Sequence, residues 1–392
     1  MAKSSAKFSV HLDAMRVVAA LTVFLMHIKG LFIGPTLTQH MAASANSYEH
    51  NELFTSPAHE AVIVFFVLSG FFVGGGVLRG WQKRIWTWKT YAIQRLTRLW
   101  IVLIPALLLT LALDTAGLHL FGLSGPYGHP HWESTLTLEI PNNLNAHTFF
   151  GCLFFLQKIL VQPLGSNGAL WTLAYEFWFY VAFPLGMGAL TSRFSWPIRV
   201  LNAALLIGVG FFVGQTITAY FLLWLIGASL QAIPKKLSPG QVRILAPAGV
   251  VLLCAVSVAL WALKWDMYLS DLIEACTCAA LCYVILHETD EAPHGSAYVS
   301  TSRLLSDMSY TLYLAHLPIV LFLCALLASR GILRGFDARH LVIAAGVSVI
   351  AFACCYLLYL CFERHSDRVR GVLLSKFGSA RKEQPRATEV LS

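Results

Sequence analysis

The sequence predicts an all-α protein, a polytopic membrane helix bundle of about ten transmembrane helices plus a short re-entrant or interfacial segment. Three observations predict it. Of the 392 residues, 57% are hydrophobic and 12% charged, with a mean hydropathy of +0.65, whereas soluble domains carry roughly a quarter charged residues. The apolar residues gather in runs near the length of about 20 that crosses a hydrocarbon core. The basic residues flank those runs rather than interrupt them, as topology signals do.

The runs fall at 10 to 33, 59 to 79, 99 to 121, 169 to 190, 199 to 214, 216 to 233, 244 to 263, 267 to 286, 305 to 328 and 340 to 362. The first contains Asp13 and Arg16 and has no small-residue cleavage site, so it reads as a retained span rather than a signal peptide. Between the third and fourth runs, Thr148 to Val161 is too short to cross and carries Gln157 and Lys158. It is expected to be re-entrant or interfacial. The segments 34 to 58 and 122 to 168 are rich in His, Asn, Gly and Pro and are expected to offer a substrate surface on the outer side. One transmembrane domain is expected over 1–375, followed by a polar, aperiodic tail over 376–392, expected to be disordered and cytoplasmic.

With the amino terminus inside, 21 of the 28 Lys and Arg residues lie on inner segments and six on outer ones, with Arg16 inside the membrane. The positive-inside rule therefore places both termini in the cytoplasm, with Arg330, Arg334 and Arg339 running against it. The net charge of +8 is accounted for by these flanks, so no nucleic-acid partner is expected. The nine cysteines sit in or beside apolar runs without metal-ligand spacing. No metal site, internal repeat or Gly-rich phosphate loop is read from the chain.

Ionisable groups inside a bilayer are costly and mark function or pairing within the bundle. Arg16 and His27 are eleven residues apart, which returns them to nearly one face of a helix about 16 Å apart along its axis. Arg95 and Arg98 share a face at i, i+3, just before the third run, and the guanidinium fork suits phosphate. Glu176 is a carboxylate among aromatics, at a depth similar to that of His27, so it is expected to orient the imidazole. Ser69, Tyr310, Tyr313 and His316 fall near the middle of their spans, where they either line a passage or hydrogen-bond between helices.

The stretches Leu12-Asp13-Ala14-Met15-Arg16 running to His27, Phe65-Phe66-Val67-Leu68-Ser69-Gly70-Phe71, Arg95-Leu96-Thr97-Arg98, the block Trp171 to Tyr180, and Ser309-Tyr310-Thr311-Leu312-Tyr313-Leu314-Ala315-His316 occur in that order along nearly the whole chain. Together they resemble the bacterial acyltransferase-three family. The resemblance implies ten membrane helices and a donor such as acetyl-CoA on the cytoplasmic side of a bacterial inner membrane. It also implies O-acylation of a glycan, such as exopolysaccharide or lipopolysaccharide, outside. It makes Arg16, His27, Arg95 and Arg98 the essential positions. The chain departs from the family pattern at Thr172 (usually Ser), at Phe177-Trp178 (usually a polar pair) and at His365 after Glu363-Arg364 (usually Pro).

The expected assignment is therefore His27 and Glu176 as catalytic residues and Arg16, Arg95 and Arg98 as binders of the acyl-CoA phosphates. Ser69, Trp171, Tyr310, Tyr313 and His316 are expected toward the acceptor. Acetyl-CoA or another acyl-CoA enters as donor substrate, and no cofactor is held permanently. His27 serves either as general base or as transient acyl carrier. A macrolide-type acceptor, or a transporter or flippase without acyl transfer, is the competing reading. The acceptor and the oligomeric state stay open.

Overall fold

The computed structural model describes residues 7–33, 57–123, 125–128, 139–234, 236–263, 266–288, 296–332 and 334–377. Most of the outer loop 34 to 58, the centre of 122 to 168 and the tail beyond 377 lie outside the described residues, so the surface and tail expected there are not described. Among the described residues eleven helices carry the fold: α1 (Lys7–Phe32), α2 (Pro57–Gln82), α3 (Trp88–Phe121), α4 (Ala146–Leu153), α5 (Trp171–Leu190), α6 (Trp196–Ser229), α7 (Pro239–Leu263), α8 (Met267–Ile285), α9 (Ala297–Ala328), α10 (Ala338–Cys361) and α11 (Ser366–Phe377). Among the described residues there is no strand, only the isolated bridges Ile33–Gly335 and Gln157–Val161. Nine helical stretches among the described residues are long and apolar enough to cross a membrane, and the protein is a multi-pass helical membrane bundle.

Ten crossings result, because α6 contains two. Gly214 sits at φ 82° and ψ 175°, outside helical space, a conformation natural to glycine. Near the start of α6, Asn202 lies against Gly188 of α5, and just before it Arg193 donates to the carbonyl of Trp81. Beyond Gly214, Ala228 meets Gly74 and Gln231 accepts from Arg79 at 3.0 Å. Both ends of α6 therefore stand beside the same end of α2, and the chain reverses at Gly214. The runs read from sequence as 199 to 214 and 216 to 233 are the two arms of this hairpin.

Several boundaries differ from the sequence reading. α3 starts at Trp88, where the Thr87 hydroxyl accepts from the Thr90 amide at 3.3 Å and caps the first turn. Arg95 and Arg98 thus lie within the helix rather than before it. α9 likewise begins at Ala297, and Lys376 and Phe377 close α11 rather than open a tail. The segment around 148 to 161 does not cross. Its helix α4 has 8 residues, or about 12 Å of rise, and the chain then tucks inward so that Gln157 is fully buried, donating to the Leu170 carbonyl at 2.8 Å.

The bundle is layered around α2 and α9, each with 72% of its spanning window buried, against 6% for α7. α1 lies along α9, amino ends together, because His11 meets Tyr298, Ser306 meets Asp13 and His27 meets His316 in register. The second arm of α6 crosses α2 backbone to backbone. A Cβ on Gly227 would stand 1.9 Å from the Val67 carbonyl oxygen, and one on Gly70 2.0 Å from that of Trp224. Directly after Ser69, α2 widens into a π turn over Gly70–Gly74, a distortion frequent at functional sites.

Candidate active site

At the end of the bundle that carries most of the basic residues, α1, α2, α3, α5 and α9 enclose a cavity of about 350 Å³ lined by Arg16, Ser69, Arg95, Arg98, Glu176 and Tyr310, among others. Helical spacing delivers these groups in pairs. Asp13 and Arg16 come from one face of α1, Arg95 and Arg98 from one face of α3, Glu176 and Tyr180 from α5, and Tyr310 and Tyr313 from α9.

The three guanidinium groups are held differently. Arg98 forms an ion pair with Glu363 at 3.0 Å and keeps a third of its side chain exposed. It also lies 5.4 Å from the ring centroid of Tyr310. Glu363 is anchored in turn, accepting from the Thr311 amide at 3.0 Å and its hydroxyl at 2.6 Å. Arg95 stands 5.8 Å from the rings of both Tyr91 and Tyr180, and its buried Nε has no partner. Arg16 faces the cavity within electrostatic reach of Arg98, Asp13, Glu363 and Glu176. Asp13 does not cap Arg16 by hydrogen bonding, and accepts instead from Ser306 at 3.0 Å. Buried cationic donors without acceptors are costly. That Arg95 donor, facing the same cavity as the guanidinium groups of Arg16 and Arg98, gives the space the chemistry to take an anion.

Glu176 departs from its expected place. Its Oε1 accepts from Ser69 at 2.7 Å and from the Tyr180 hydroxyl, not from His27. Trp224 donates to Ser69 at 3.2 Å, and the Tyr91 hydroxyl donates to the Tyr180 carbonyl at 3.0 Å. Glu176 lines the cavity with Arg16, eleven residues before His27 on α1, and α5 packs against α6 whereas His27 faces α9, so the two do not meet.

The partner of His27 is His316. Nδ1 of His27 lies 2.7 Å from Nε2 of His316, and Nδ1 of His316 lies 2.7 Å from the Leu312 carbonyl oxygen. A carbonyl only accepts, so the second contact places a proton on Nδ1 of His316. Neutral His316 then presents a lone pair at Nε2, which takes Nδ1–H of His27 and leaves Nε2 of His27 bare. Of the two sequence readings of His316, lining a passage or hydrogen-bonding between helices, the structure shows the second: the ring is fully buried and bonds to His27, setting the tautomer of its neighbour.

Arg16 lines this cavity, whereas His27, on the same face of α1, is not among its lining residues. Away from the arginines the cavity reaches Val62, Thr172, Tyr313 and Leu314, where Thr172 donates to the Tyr313 hydroxyl at 3.0 Å. His316 begins two residues beyond Leu314, so the histidine pair sits just past the cavity's end. Ser69, Tyr310 and Tyr313 do line it. Trp171 packs instead in an aromatic group with Phe66, Tyr175 and Tyr220.

Several residues that hold the site went unassigned in the sequence reading. Tyr180 was visible only as the i+4 neighbour of Glu176, and Glu363 only as part of a family departure. Asn167 is fully buried and donates to Thr110 at 3.1 Å and to the Leu314 carbonyl at 2.8 Å. Asp114 accepts from the Ser166 amide and hydroxyl at 2.7 and 2.8 Å. Together these close the bundle beyond the histidines. No three His, Cys, Asp or Glu residues among those described are grouped to hold a metal ion. Outside the spanning helices, burial pushes the Cys152 thiol up to about 12, which makes it a packing group rather than a nucleophile.

Residues 10–360 match the acyltransferase domain family known as acyltransferase 3. No curated protein and no solved structure matches the chain.

Proposed function

We propose, from the premise that this chain belongs to the acyltransferase 3 family of membrane acyltransferases, that it carries an acyl group from cytoplasmic acyl-CoA to a hydroxyl of an extracytoplasmic glycan. The acyl group is taken to be acetyl and the membrane the bacterial inner membrane, with both termini in the cytoplasm. The observation that carries the reading is the cavity at the basic end, where Arg95, whose buried Nε has no acceptor, faces the same space as Arg16 and Arg98. Coenzyme A brings the phosphates such a site lacks.

In this reading the arginines grip the phosphates and the thioester arm extends along the cavity past Tyr310 and Tyr313. The end of the cavity opens on binding to bring the thioester carbonyl to Nε2 of His27. As general base, that nitrogen takes the proton of the acceptor hydroxyl while its oxygen attacks the carbonyl carbon. The carbon–sulfur bond then breaks and the thiolate recovers the proton from His27. As nucleophile, the same nitrogen forms an acyl-imidazolium with loss of the thiolate, and the hydroxyl then takes the acyl group from it while its proton passes to the thiolate. Nδ1–H of His27 stays directed at His316 on either route, so charge developing on the ring is shared with a second imidazole. Glu176 acts from the cavity side, balancing the arginines and fixing the hydroxyls of Ser69 and Tyr180. Glu176→Gln is expected to lower turnover strongly, and an unchanged rate reduces the carboxylate to packing.

The test is saturable acetyl-CoA binding by the purified protein together with acetyl transfer to surface-glycan extracts, read by O-acetyl signals in NMR spectra. Transport of a solute without any acetyl-CoA binding overturns the reading.

A further inference from the structure

Across α1 and α2 from the arginine cavity lies a second and larger one of about 750 Å³, bounded on its other sides by α7 and α8. The two spaces use opposite faces of the same helices. Arg16 lines the first, whereas Met15 and Val18 line the second. Val18 is 64% exposed although it sits mid-helix. The outer wall, α7, buries only Val242 and Leu260, so it separates this trough from lipid by a single helix.

The trough is apolar apart from its ends. Toward the Pro57 end of α2 stand Glu60 and Glu274, with Ser257 donating to Oε1 of Glu274 at 2.8 Å. Glu274 is 1% exposed. Its Oε2, like Oε2 of Glu60, is buried without a hydrogen-bond partner. Asp271, one helical turn from Glu274, has its Oδ1 2.7 Å from Nε2 of His59 and its Oδ2 unpartnered. Among the described residues no Lys or Arg pairs with Glu60 or Glu274. Arg243 also lines this space but sits in the first turns of α7, about 21 Å of helix rise from Ser257, and two neighbouring carboxylates with no cation nearby are expensive in a membrane interior. A ligand ammonium between them removes that cost while an alkyl tail covers the apolar walls. The run from Thr22 to His11 along the trough offers about 16 Å of helix rise for such a tail.

We propose that this trough is a lipid-accessible binding site for a long-chain amphiphile bearing a primary ammonium, held between Glu60 and Glu274. Anionic heads are repelled there, and the site is separate from the arginine cavity because no lining residue of α1 or α2 is shared.

The test is photolabelling of the full chain in phosphatidylcholine nanodiscs. The probe is a long-chain primary alkylamine with a tail diazirine, compared with the alkanol and the alkyl sulfate of the same tail. Peptide mass spectrometry is expected to place the amine's adducts on the Met15–Val18 turn of α1 and on α7, with the alkanol and sulfate labelling these peptides far less. Glu60→Gln with Glu274→Gln is expected to lower the amine's labelling about tenfold. Ala246→Trp, which fills the trough without touching either acid, is expected to abolish it. Acetyl-CoA binding reports that the arginine cavity, and hence the fold, is intact in each variant. If the paired Gln variant loses that binding, the Ala246→Trp result decides. Equal labelling by alkanol and amine, or labelling unchanged in an intact variant, overturns the proposal and makes the trough an ordinary cleft for lipid chains.

Discussion

The two cavities that share the α1–α2 wall differ in almost every physical respect. The one beside Arg16 is small, ringed by arginines and tyrosines, and threaded by hydrogen bonds that fix Glu176, Ser69 and Glu363. The one beside Val18 is about twice as large, apolar, and ends at two carboxylates with unpartnered oxygens. One helix thus presents a cation to one side and a bare apolar stripe to the other. In the proposed reading the arginine cavity takes the anionic donor, and the hydrogen bonds that hold Arg98 and Glu176 in position are already formed. In the trough Ser257 holds one oxygen of Glu274, but the outer oxygens of Glu60 and Glu274 have no partner.

Substitutions on each side of that wall give graded ways to break the contrast. The largest effect is expected from His27→Ala, with acetyl transfer down about a thousandfold, within the range of general-base contributions, and acetyl-CoA affinity unchanged by calorimetry. His316→Ala is expected to lower kcat about a hundredfold with little change in KM, because His27 loses the acceptor that fixes its tautomer. His316→Gln keeps an acceptor and is expected to recover part of the rate, whereas a purely structural His316 gives no such recovery. Arg16→Ala and Arg95→Ala are each expected to weaken acetyl-CoA binding by about 2 kcal/mol, the scale of a charge-assisted hydrogen bond, with a smaller loss of kcat at saturation. Glu60→Gln is the smallest, expected to leave both acetyl-CoA affinity and transfer unchanged. A loss of acetyl-CoA affinity in this last variant contradicts the separation of the two cavities.

Much of the fold was legible because membrane insertion writes itself into composition. The ten apolar runs map onto the crossings, and even the closely spaced pair at 199 to 214 and 216 to 233 resolves into a hairpin turned at Gly214. Helix ends were less legible, since Trp88 to Leu99 carries several polar groups yet continues α3 inward. Within the site, pairs on one helix were readable from the 3.6-residue period. Arg95 and Arg98 share a face, and Arg16 does line the cavity. Contacts between helices were not readable. Equal depth suggested Glu176 behind His27, but lateral packing decides partners, and α9 rather than α5 brings a side chain to the imidazole. Glu363 illustrates the same limit from the other direction, since it reaches Arg98 from more than 260 residues away in the chain.

The account stands most directly on a division of labour, in which the arginine cavity holds the donor and His27 performs the chemistry. Acetyl-CoA titrations and single-turnover acetyl transfer, run side by side on His27→Ala and Arg16→Ala, test it. The predicted result is full donor affinity with no transfer for the first, and weakened affinity with residual transfer at saturation for the second. The reverse pattern, with donor binding lost on removing the imidazole and kept on removing the guanidinium, contradicts it.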